Sequence, residues 1–170
     1  FAMAPMGPLG LSDAEGGWNQ RGIDYYVERA KGGTGLIITE ITRVNDRTGA
    51  AAFAQLGMSH DYQIEGMREL SDRIHKHGAK LFVQLTAGMG RSWAITELVA
   101  PLHKNKITRA LVKPIIDTSH ELACPSPQPS RWAHDIICPE MTVEQIQEII
   151  EAFAKTAKLC KDAGVDGVEV

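Results

Sequence analysis

The chain has 170 residues, 44% of them hydrophobic and 23% charged, with a formal net charge of −3. That apolar share excludes a disordered chain, and the slight acidity argues against a nucleic-acid binder, which shows a basic face. No apolar run is long enough to span a bilayer, and Cys124, Cys138 and Cys160 form no C-x-x-C pair and no zinc pattern.

The segment from Phe1 to Met6 is apolar from its first residue and reads as a strand. A helix is predicted from Arg21 to Lys31, ended by Gly32 and Gly33, with a strand over Leu36–Ile41 after it. A second helix is predicted from Asp61 to His77. Its apolar positions Ile64, Met67, Leu70 and Ile74 share one face. Gly78 ends it, and a strand over Lys80–Leu85 follows. Residues 86–140 form a long excursion rich in proline (Pro101, Pro114, Pro125, Pro127, Pro129 and Pro139), with a hairpin expected around Ile107–Ile116. Long loops in compact domains are usually functional. Thr142 and Gln145 then make a capping box, opening a third helix. Its expected core stripe is Ile146, Ile149, Ile150, Phe153 and Ala157. Gly164 ends it before a last strand over Val165–Val170, since glycine supplies the left-handed residue that turns the chain.

Helix, glycine and short apolar strand, repeated three times, predict an α/β fold with a parallel sheet. An open nucleotide-binding sheet wants a glycine-rich turn running straight into a helix after the first strand. Here Pro5–Gly10 leads instead into the polar loop Ser12–Gly17. That weakens the open-sheet reading and favours the other architecture that fits, a (β/α)8 TIM barrel, which takes about 250 residues. Four strands and three helices would then be its N-terminal half, with the long excursion after strand three. Both ends of the chain read as strand, so residues 1–170 are expected to be an incomplete domain of a longer protein.

Ligands of a parallel barrel sit at the C-terminal strand ends. These are Pro5-Met6-Gly7, Glu40-Ile41-Thr42 and Gln84-Leu85-Thr86, a mostly neutral set that suggests no metal. Gly7 would let a flat ligand approach the backbone. Gln84 carries a donor and an acceptor on one amide, which could pair with a pyrimidine-type ring edge or be satisfied by backbone in the core. Glu40 reads equally as a base or as a carboxylate bonded to nearby amides. Arg91 reads as a substrate contact or a solvated charge. Tyr25 and Tyr26 are expected to pack, and His75 and His77 to be solvated. His103, His120 and His134 lie in the excursion, within reach of a substrate there. The cysteines read as buried small hydrophobes.

The ordered segments Ala4–Gly7, Tyr25–Glu40, Gln84–Arg91, Pro139–Thr142 and Ala163–Val170 resemble the N-terminal half of the old yellow enzyme family of NADH:flavin oxidoreductases. Its 2,4-dienoyl-CoA reductase and bile-acid-inducible branch is the most similar. Many relatives carry His in a Gln-x-x-His-x-Gly-Arg run after strand three. Here Thr86–Gly90 intervenes and the run is one residue longer, as in the bile-acid-inducible branch. The resemblance implies an FMN-binding TIM barrel that moves hydride from NADH or NADPH through flavin to an activated C=C bond, making it an ene-reductase. It implies that Pro5, Met6 and Gly7 lie along the flavin ring, that Ile41 touches it, and that Gln84 bonds its pyrimidine edge. Arg91, Trp93 and Trp132 are candidates for choosing the substrate, a small-molecule enone or enoyl thioester. The catalytic proton donor and the flavin phosphate site would follow Val170, as would any iron–sulfur cluster and FAD. The segment alone is expected to be inactive. The odd cysteine count, with no signal-peptide pattern, points to a reducing cytoplasm, and a homo-oligomeric parent is a further expectation. The competing readings are a stand-alone half-barrel binding module and a different TIM-barrel enzyme such as a lyase.

Overall fold

Leu36 of strand β2 (Leu36–Ile38) has neighbours on both sides: Ala2 of β1 (Ala2–Met3) and Lys80 of β4 (Lys80–Thr86). Strand β7 (Gly167–Glu169) pairs with the other edge of β4, matching Phe82 with Gly167 and Gln84 with Glu169. All four strands are parallel and succeed one another in chain order, which is the arrangement of barrel strands one to four. The computed structural model describes residues 1–8, 10–46, 55–93, 99–114 and 117–170.

Each crossover helix is placed by local chemistry. Asn19 caps helix α1 (Gln20–Lys31) by accepting from the Gly22 amide at 2.8 Å, and its own amide donates to the Ser12 carbonyl at 2.9 Å. One side chain thus starts the helix and pins the polar loop before it. Asp61–Gln63 forms a 3-10 turn that leads into α2 (Ile64–His75), a shorter α-helix than the sequence predicts. The expected Thr142–Gln145 capping box is present at the start of α6 (Val143–Asp162). Gly33, Gly78 and Gly164 adopt φ of +90°, +75° and +84°, so the turn from each helix to its strand uses the glycine's freedom.

Alternation along β4 divides the sheet into two faces. Leu81, Val83 and Leu85 are buried under the helices, where they join Tyr26, Val27, Met67, Leu70 and Ile74. Burial of each such side chain contributes about 1.5–3 kcal/mol. Phe82, Gln84 and Thr86 point to the opposite face and are half-buried.

Three expectations need correction. The second strand does not run unbroken from Leu36 to Ile41: it stops at Ile38 and resumes as β3 (Thr42–Arg43), both parts pairing with β4. The break arises because the Glu40 amide donates to the Tyr26 phenol at 2.8 Å instead of to the sheet. The expected hairpin around Ile107–Ile116 is helical where described. Asn105 caps α4 (Lys106–Val112) by accepting from the Ile107 and Thr108 amides; residues 115–116 lie outside the described residues. The stripe on α6 holds only in part. Phe153 packs against the core and Ile149 and Ala157 are half-buried, but Ile146 and Ile150 are exposed, while Thr156, Leu159 and Cys160 are buried. The C-terminal half of α6 is the part that packs on the sheet and α2, held by Arg68 donating to the Asp162 carbonyl and Ser71 to the Gly164 carbonyl.

Between β4 and α6 lie α3 (Val99–Lys104), α4, α5 (Thr118–Glu121) and an antiparallel pair, β5 (Gln128–Pro129) with β6 (Ile137–Cys138). They enclose a second, smaller core of Trp93, Leu122, Cys124, Ile136 and Cys138.

Candidate functional site

The parallel register puts the ends of β1, β2–β3 and β4 on one side of the sheet. Pro5, Met6 and Gly7 follow β1; Met6 and Gly7 are exposed and Pro5 is half-buried. A side chain added at Gly7 would find Glu40 Oε2 at 3.9 Å as its nearest neighbour, so the segment lies against the end of strand two with room above it. Ile41, half-buried, immediately precedes the Thr42–Leu85 pair and is therefore level with Gln84.

Gln84 is half-buried on the open face of the sheet, and its amide makes no hydrogen bond to any described residue. The reading of Gln84 as a core amide satisfied by backbone therefore does not hold among the described residues. Its cross-strand neighbour Glu169 was not singled out from sequence. Parallel pairing puts both side chains on the same face, and Glu169 Oε2 is buried with no hydrogen-bond partner among the described residues. The alternation Gly167-Val-Glu169 was the available signal, because it puts Glu169 on the glycine's side of the strand.

Glu40 is fully enclosed behind this surface, with its main chain fixed by Tyr26. Tyr26 is itself buried, and burial pushes its phenol above the ordinary tyrosine range. Trp18 and Tyr25 pack edge-on against its ring. The tyrosines thus pack, as expected.

Arg91 lies outside the sheet, in a 3-10 turn after β4. It donates to Gln128 Oε1 at 2.7 Å, and its carbonyl accepts from the Arg131 amide at 2.9 Å. These bonds fasten the β5–β6 hairpin over the end of β4. Trp132 is exposed and donates to the Ser92 carbonyl, whereas Trp93 is buried in the smaller core.

The histidines divide differently from the sequence reading. His75 pairs with Asp166 at 2.6 Å rather than being simply solvated. His103 is buried with its Nδ1 2.7 Å from Thr118 Oγ1, and burial lowers its pKa. His120 lies 2.8 Å from Asp117 Oδ2, and His134 is exposed. The cysteines are free thiols, all buried. Among the described residues, no helix is long and apolar enough to cross a membrane.

A set of half-buried, largely uncharged groups around one unpaired amide can hold a flat, neutral, hydrogen-bonding ring by its edge.

The chain is 36% identical to a cinnamate reductase of Clostridium sporogenes, covering 100% of this chain and 23% of that protein. It is 29% identical to an NADPH dehydrogenase of Listeria welshimeri, again over all of this chain and 43% of the relative. The chain therefore spans well under half the length of these relatives. Its fold matches an old yellow enzyme from Pichia sp. AKU4542 with a TM-score of 0.73 at 24% identity, covering 99% of this chain and 41% of that one. The architecture is thus part of a TIM barrel. The profile of the NADH:flavin oxidoreductase / NADH oxidase family matches residues 1–170, and the chain belongs to that family.

Proposed function

We propose that the chain is the N-terminal part of an FMN-dependent ene-reductase that uses NADH or NADPH to reduce an activated C=C bond in an enone or enoyl thioester. The observation that carries this reading is Gln84: a half-buried amide at the end of β4 with both donor and acceptor uncommitted among the described residues. Such an amide fits the C=O and N–H edge of a flavin pyrimidine ring, and Gly7 leaves open space where a ring plane needs it.

In this reading Pro5, Met6 and Gly7 line one side of the ring, Ile41 sets its position over strand two, and Gln84 fixes its edge. Arg91 is the substrate-side candidate. FMN held by these residues would supply the two-electron hydride chemistry that links nicotinamide and alkene. The chain's own residues contribute position. The Tyr26–Glu40 bond holds the bend before Ile41, and β3 and β7 flank the Gln84 end of β4 so that its amide is presented at a fixed height. Residues 1–170 would form an incomplete FMN-binding domain with residues 86–140 as an excursion within it. The proton donor, the flavin phosphate site and any iron–sulfur or FAD centre belong to the rest of the protein, which we place in the cytoplasm.

The test is spectroscopic. The whole protein, purified without added flavin, should be yellow. It should bleach anaerobically with NADH or NADPH, and regain its colour with 2-cyclohexenone or an enoyl-CoA. The 170-residue chain alone should show no such turnover. A colourless whole protein that takes up no FMN would overturn the proposal.

A further inference from the structure

Helix α5 is a single turn, and its last residue, Glu121, is 5% exposed. Glu121 Oε2 has no hydrogen-bond partner among the described residues. Glu121 is among the residues that line a cleft of about 300 Å³ between the loop after β4, α5 and α6. That volume is at the lower end of small-molecule sites, about 300–1,000 Å³. Met89, Cys124, Met141 and Ile149 make much of the wall apolar.

The other charged and titratable groups around the cleft are engaged. Arg91 donates to Gln128, and His120 contacts Asp117 and Gln145. Lys113 lies 3.7 Å from Asp117. Burial first, then repulsion from Asp117, raises the Glu121 carboxyl to about 7. Asp117 is held below the ordinary range: burial opposes this, but His120 and Lys113 outweigh it. Asp117 is therefore charged throughout the neutral range. Glu121 Oε2 thus lacks a donor among the described residues, and the charged Asp117 that caps α5 repels it. A ligand that supplies an N–H and a positive charge meets both needs, and an apolar body on that ligand matches the walls.

We propose that this cleft binds a small protonated amine, whose ammonium donates to the Glu121 carboxylate while its apolar body lies against Met89, Met141 and Ile149. Arg91 lines this cleft and Gln84 does not, and the proposed contact to Glu121 does not need bound flavin.

Cyclohexylmethylamine is a suitable probe, because an alkylammonium keeps its charge through neutral pH as a lysine does. Binding is measured by calorimetry on the whole protein, with neutral cyclohexylmethanol as the control. Affinity for the amine should rise about tenfold between pH 6 and 8, as Glu121 loses its proton. Cyclohexylmethanol should not bind, and Glu121→Gln should weaken the amine at least tenfold. If the variant fails to fold, the wild-type pH profile and the alcohol control decide. Equal binding of amine and alcohol, a flat pH profile, an unaffected E121Q, or no saturable binding at about 10 mM would each overturn the proposal.

Discussion

Asp166 accepts a hydrogen bond from His75 at 2.6 Å, joining the residue before β7 to the last turn of α2 across 91 positions of sequence. The same carboxylate accepts from Lys80 Nζ at 2.7 Å and from the Leu81 amide at 2.9 Å. One side chain therefore locks the starts of two neighbouring strands, β4 and β7, to α2, the helix that precedes β4.

This lock has a pH signature. Burial works against the charged form of Asp166, but the bonds from Lys80, His75 and Leu81 overcome it and hold the pKa at about 2, against an ordinary 3.8. A depressed carboxylate stabilises the fold above the unfolded value, and that stability is lost as pH falls through the folded value. Asp166→Asn should cost about 1–2 kcal/mol at pH 7, discounting for partial exposure. The gap between wild type and variant should narrow as pH drops from about 4 towards 2. Urea denaturation at a series of pH values checks this; a gap independent of pH would refute the electrostatic account.

Tyr26→Phe should destabilise beyond what the loss of one hydroxyl suggests. The Glu40 amide is enclosed and has the phenol oxygen as its partner. Leaving a buried donor unsatisfied costs about 1–3 kcal/mol. If the bond also holds the bend before Ile41, FMN affinity of the whole protein should fall with stability. Chemical denaturation and flavin titration of the same variant check both.

Periodicity made the repeated helix–glycine–strand order legible in the sequence. Gly33, Gly78 and Gly164 adopt the left-handed turns expected of them, and Thr142 with Gln145 caps α6. The break in strand two was not legible, because it depends on Tyr26 reaching an amide fourteen positions away. The α6 stripe misled for a related reason: Ile146 and Ile150 have the spacing of a buried face, but burial depends on what packs there. At the site, strand-end logic located Gly7, Ile41 and Gln84. It passed over Glu169 because that residue's significance comes from its pairing with Gln84 across two strands. Glu121 gave no sequence signal at all, since a lone carboxylate after His120 looks like any surface helix end.

Gly22→Ala reverses a familiar sign. Within a helix this change ordinarily stabilises by about 1 kcal/mol. Here the new methyl would lie 2.3 Å from the Leu11 carbonyl oxygen and 3.0 Å from the Trp18 ring. Neither the backbone nor a packed indole yields easily, so α1 must shift off the loop that Asn19 pins. The expected loss is about 2–3 kcal/mol, in the range of overpacked cores. A thermal melt that matches or exceeds wild type would show that the loop relaxes freely.

Gln84→Leu separates the role of this amide from any part in folding. The side chain makes no hydrogen bond to a described residue, so removing its polar atoms leaves no protein group unsatisfied. Stability should therefore hold to within about 0.5 kcal/mol. FMN affinity of the whole protein should instead fall at least about tenfold, the equivalent of losing one to two hydrogen bonds at a ring edge. The visible spectrum of bound flavin should shift as well, because a bond to the pyrimidine edge alters the ring's electronics. Loss of affinity at constant stability identifies Gln84 as a flavin contact. Loss of stability at constant affinity would return it to the core and remove the observation on which the flavin reading rests.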